Sequence, residues 1–103
     1  MIYGLKEEVV EAICIIFQKY PEVEKAILYG SRAKGNFKPA SDIDLTLLGS
    51  LLDLTILNRI SWELDDLLLP YTFDLSIFNQ INNSELLDHI QRVGTVFYSK
   101  SVE

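Results

Sequence analysis

Three carboxylates lie where acids are disfavoured. Asp42 and Asp44 stand two residues apart in the run 42–48, where Asp42, Asp44 and Thr46 alternate with Ile43, Leu45 and Leu47. That is the period of a strand, so both acids leave one face about 7 Å apart at their Cα atoms. Asp74 has the same setting in the run 71–78, between Phe73 and Leu75, although acids are depleted from strands. If the two strands are neighbours, the three carboxylates converge on one point and raise one another's pKa unless a cation neutralises them. Hard oxygen donors of this kind suit Mg2+, which completes its octahedron with phosphate oxygens and water.

A second group precedes them. Gly30 ends the apolar run 26–29 and is followed by Ser31. A glycine there lets the backbone approach a ligand closely. Ser31 is expected to cap a short helical turn whose free N–H groups would hold phosphate. Arg32, Lys34 and Lys38 crowd a window that contains no acid, a local positive patch suited to a small anion. Taken singly, these features read as a turn, a solvated strand edge, a surface acid and loop charges. Their joint spacing of Gly-Ser, ten residues, Asp-x-Asp describes a phosphate cradle beside a metal–carboxylate cluster, and so a site for a metal–nucleoside triphosphate.

The elements that must position these residues follow from periodicity. Residues 5–20 read as an amphipathic helix ended by Pro21, with Cys14 packed near its apolar stripe. Residues 26–29 read as a buried strand, 31–41 as a helical turn and loop, and 42–48 as a strand. A helix is expected over 53–69, stopped by Pro70; its stripe is Leu57, Ile60, Leu64, Leu67 and Leu68, and Ile56, Trp62 and Leu69 lie off it. A strand over 71–78 follows. Asn82 and Glu85 resemble a capping box opening a helix that Gly94 closes, and 95–98 adds a last strand. His89 reads as a surface or packing residue of that helix. The order predicts an α+β (α/β) protein with a mixed sheet flanked by helices.

Composition excludes much else. The chain has 103 residues, 49% hydrophobic and 23% charged, one domain's worth of ordinary globular mixture. Nine basic against fifteen acidic residues give a net charge of −6, which leaves no footprint for long nucleic acid. The longest weakly polar stretch, 45–57, is broken by Gly49, Ser50 and Asp53 and is too short to span a membrane. Glu7, Glu8 and Glu11 stand where a signal peptide would be basic and then apolar, and the lone Cys14 has no internal disulfide partner, so a cytoplasmic protein is the expectation.

The stretch Leu28-Tyr29-Gly30-Ser31-Arg32-Ala33-Lys34-Gly35, followed by Ser41-Asp42-Ile43-Asp44-Leu45, resembles the signature of the minimal nucleotidyltransferases of the DNA polymerase beta superfamily. The resemblance implies a single such domain over 1–103. It implies two Mg2+ ions held by Asp42, Asp44 and Asp74, with Gly30 and Ser31 on the β- and γ-phosphates of a nucleoside triphosphate, by default ATP. Arg32 would steady the triphosphate. An acceptor hydroxyl would attack the α-phosphate, with Asp74 accepting its proton. Minimal members are paired with a separate helical-bundle protein of the HEPN type, often as antitoxins that transfer AMP to a tyrosine of the toxin. Two other readings compete: a non-catalytic module that binds its partner and holds nucleotide, and a transferase acting on a small molecule, as aminoglycoside nucleotidyltransferases do.

Overall fold

A computed structural model describes residues 1–100. Its order is α1 (Glu7–Gln18), β1 (Lys25–Tyr29), α2 (Gly30–Lys34), β2 (Ile43–Leu48), α3 (Leu54–Asp66), β3 (Phe73–Ile77), a 3-10 turn (Phe78–Gln80), α4 (Ser84–Val93) and β4 (Thr95–Ser99). The strands form one sheet in the order β3-β2-β1-β4. β1 is antiparallel to both β2 and β4, whereas β2 and β3 are parallel and joined through α3. The expected mixed sheet flanked by helices is what forms. No helix among the described residues is long and apolar enough to cross a membrane.

One face of the sheet carries the core. Ala26 and Leu28 of β1, Ile43, Leu45 and Leu47 of β2 and Ile77 of β3 are buried against Ile13, Ile16 and Phe17 of α1 and Ile60 and Leu64 of α3. Burying each of these large side chains contributes about 1.5–3 kcal/mol. Lys19 and Tyr20, just past α1, both bond the Glu63 carboxylate on α3 and lock the two helices side by side. The opposite face carries Tyr29, Asp44 and Asp74.

Several boundaries differ from expectation for local reasons. The first helix begins at Glu7, because Tyr3 and Gly4 take positive φ values of 57° and 74° and turn the chain so that Ile2 and Leu5 bond each other. Asp53 caps α3 by accepting from the Ile56 amide at 2.9 Å. That helix stops at Asp66 rather than at residue 69, since Leu68 turns left-handed at φ 54° and Pro70 disfavours a helical residue 69. Of the residues read as off-stripe, Ile56 and Leu69 are half-buried and Trp62 is 66% exposed.

The cap of α4 is Asn83, not Asn82: its side chain accepts from the amides of Glu85 and Leu86. Asn83→Ala is expected to cost about 1 kcal/mol, lowering Tm by roughly 5 °C. Asn82→Ala should leave a thermal melt nearly unchanged.

Candidate functional site

The parallel pairing of β2 with β3 decides the geometry. Asp44 stands opposite Asp74 and Thr46 opposite Ser76, and on the other side of β2 Tyr29 stands opposite Asp44 and Ile27 opposite Thr46. One row across the face away from the core therefore reads Tyr29, Asp44, Asp74, with adjacent strands about 4.8 Å apart. The next row reads Ile27, Thr46, Ser76. Thr46 is fully buried, and its hydroxyl and that of Ser76 have no hydrogen-bond partner in the protein. The alternation of β2 thus does not make its polar face a solvated one.

Asp42 lies in the loop one residue before β2 and is exposed, Asp44 is half-buried, and Asp74 is exposed. The backbone brings the three acids to one corner of the sheet. Among the described residues, however, no three His, Cys, Asp or Glu side chains stand close enough to hold a metal ion as they are. Their mutual influence is still felt: the Asp44 carboxyl is pushed up to about 6, first by its burial and then by the charges of Asp74 and Asp42. Burial, then Asp74 and Asp44, also raises the Tyr29 phenol. The donor set is of hard oxygens whose charges oppose one another, and it fits a divalent cation such as Mg2+.

Gly30 closes the site from the side. Its φ of 74° is left-handed, and a Cβ there would run into Asp44 Oδ2. Only glycine lets the turn and the carboxylate come this close. Gly30→Ala is expected to cost about 1–2 kcal/mol and to push the Asp44 carboxylate out of place. Denaturant titration reads the first effect, and the pH-dependent carboxyl-carbon NMR shift of Asp44 reads the second. Ser31 does not cap α2, as the sequence led us to expect; it lies in the first turn, because the helix already starts at Gly30 with Tyr29 in the cap position.

Arg32 is elsewhere. It is 2% exposed, and its guanidinium donates to the carbonyls of Ser41 (3.1 and 2.9 Å), Tyr3 (2.9 Å) and Pro39 (3.1 Å). The rings of Phe37 and Tyr71 lie 5.3 and 4.9 Å from it. With these donors committed, Arg32 ties the N-terminal turn to the loop that delivers Asp42, and the geometry gives no support to a direct grip on triphosphate. Lys34 and Lys38 remain exposed.

His89 was read from the sequence as a bystander, yet it reaches this corner. Its Nε2 accepts a hydrogen bond from the Gly30 amide at 3.1 Å, and its ring stands edge-on to Tyr29 with centroids 6.1 Å apart. A signal was present: His89 lies three residues after Leu86 and four before Val93, on the inward stripe of α4.

A mixed sheet thus presents an acid pair across parallel strands, beside a glycine-serine strand end. The chain belongs to the family described as "Polymerase beta, Nucleotidyltransferase", which matches residues 11–103. No curated protein matches it in sequence. Among solved structures the chain is similar to one of a toxin–antitoxin with AMP-PNP (TM-score 0.70, 20% identity, 94% of this chain and 76% of that one). It is also similar to the tri-AMPylated Shewanella oneidensis HEPN toxin in complex with MNT antitoxin (0.68, 17%, 93% and 74%). A third likeness is to the toxin–antitoxin MntA-HepT (0.67, 18%, 92% and 74%). At these identities the likeness is one of fold.

Proposed function

We propose that this chain is a Mg2+-dependent nucleotidyltransferase that moves AMP from ATP to an acceptor hydroxyl on, or held by, a separate helical partner of the HEPN type. The observation that carries the reading is the in-register pair Asp44–Asp74 beside the Gly30-Ser31 turn. Family membership and the AMP-PNP and AMPylated complexes among its structural relatives support it.

Asp42, Asp44 and Asp74 would hold two Mg2+ ions, which supply charge neutralisation for the attacking and leaving oxygens. Gly30 and Ser31 seat the β- and γ-phosphates. Asp74, the most exposed end of the row, accepts the proton of the acceptor hydroxyl as its oxygen bonds the α-phosphorus. The bond from that phosphorus to the bridging oxygen breaks, and pyrophosphate leaves. Tyr29 walls the row on the β1 side.

A contact-only module is the second reading, favoured by the exposed apolar side chains Leu51, Leu54, Trp62 and Leu68. The deciding experiment adds the purified chain, Mg2+ and ATP labelled at the α-phosphate to lysate of its source cells, with wild type and Asp44→Asn side by side. Label on a protein band with wild type alone supports transfer to a partner. Label on a small molecule moves the acceptor to that class. No Asp44-dependent label with any nucleotide supports the contact module.

A further inference from the structure

We infer that His89 is a positioning residue of the triphosphate seat, acting as the hydrogen-bond acceptor that fixes the Gly30 peptide. The inference rests on the reading of Gly30 and Ser31 as that seat. The Gly30 amide lies past the last β1–β2 pair, Tyr29 with Asp44, and opens α2, where the first amides have no partner within the helix. The imidazole of α4 provides one, at 3.1 Å. An imidazole nitrogen accepts only where it carries no proton, so the bond requires Nε2 to be the bare nitrogen of the ring.

The bond matters because of what it holds. A glycine at φ 74° has more backbone freedom than a residue with a side chain, and its peptide can turn unless both sides are fixed. Asp44 Oδ2 fills the space that a Cβ of Gly30 would need on one side, and His89 takes its N–H on the other. The edge of Tyr29 against the imidazole limits where that ring can go. Helix α4, through a residue 59 positions from Gly30 in sequence, thus sets the orientation of the turn from which Ser31 projects. Loss of the acceptor frees the turn and weakens triphosphate binding in ground and transition states alike, so KM should rise with kcat little changed.

The test compares wild type with His89→Gln, His89→Asn and His89→Ala. Each is titrated calorimetrically with α,β-methylene-ATP in Mg2+ and melted by circular dichroism. Glutamine can place its Oε1 near the position of Nε2, whereas asparagine is too short. His89→Ala and His89→Asn should bind about tenfold more weakly and His89→Gln within about threefold of wild type. Once an acceptor is in hand, KM should follow the same order, with kcat within about threefold throughout. If alanine and asparagine bind as tightly as histidine, or glutamine as weakly as alanine, His89 is not the acceptor that orders the turn. If alanine does not fold, the contrast between glutamine and asparagine decides alone. A wild-type protein that binds no analogue overturns the triphosphate seat itself, and His89's role with it; a wild type that binds while the variants bind equally overturns only the latter.

Discussion

Asp44→Asn is expected to lower nucleotidyl transfer by about 10³-fold, the scale of losing a central electrostatic group of a transfer site, while making the folded chain more stable at neutral pH. The reason is the environment of the carboxyl, pushed up to about 6 by burial, Asp74 and Asp42. A folded-state pKa above the unfolded one means that ionisation opposes folding. The unfolded chain gives up the proton near pH 4 and the folded chain near pH 6, so stability falls as pH rises through that window and is flat above it. Asparagine carries no charge to oppose. With solvent screening of a half-buried group allowed for, the variant should gain about 1–2 kcal/mol at pH 7 and nothing below about pH 4. Urea titrations at both pH values read this directly. Added Mg2+ should raise the Tm of wild type and not that of Asp44→Asn. A variant less stable than wild type at pH 7 would contradict the electrostatic account of the corner.

Arg32→Met should produce the largest loss of stability, about 3–4 kcal/mol. The guanidinium is buried and serves three carbonyls, Tyr3, Pro39 and Ser41, between two aromatic faces. Methionine fills the space but leaves those carbonyls without donors, and each costs about 1–3 kcal/mol where it stays dry. Arg32→Lys should lose about 2 kcal/mol, since one ammonium cannot span the fork. Against a total of roughly 5–15 kcal/mol for a chain of this length, either is severe. The alternative, an arginine that grips triphosphate, predicts a raised KM with Tm unchanged. Thermal melts beside KM measurements separate the two.

The contrast between Asp44 and Arg32 marks what sequence can and cannot reveal. The acids were legible because a period of two puts Asp42 and Asp44 on the face opposite Ile43, Leu45 and Leu47, and those three are buried in the core. Their adjacency to Asp74 was only conditional, because which strands pair, and in which register, depends on how α3 carries the chain back across the sheet. Arg32 was misplaced for a similar reason. A polar loop rich in basic residues looks solvated, and nothing in its spacing tells that the carbonyls of Pro39 and Ser41 turn inward to meet a guanidinium. The end of α3 was read at Pro70, yet a leucine takes the left-handed turn two residues earlier, where glycine or asparagine would have announced it. His89 shows the limit from the other side: its position on the inward stripe of α4 was readable, but its partner was not.

Whether this chain transfers a nucleotidyl group is read from the fate of the two ends of the nucleotide. Purified chain and the helical partner proposed for it, with Mg2+, would be given ATP labelled either at the α- or at the γ-phosphate. Nucleotidyl transfer attaches α-label covalently to the acceptor and sends γ-label out with pyrophosphate, both dependent on Asp44. Attachment of γ-label, or attachment of neither, would contradict it.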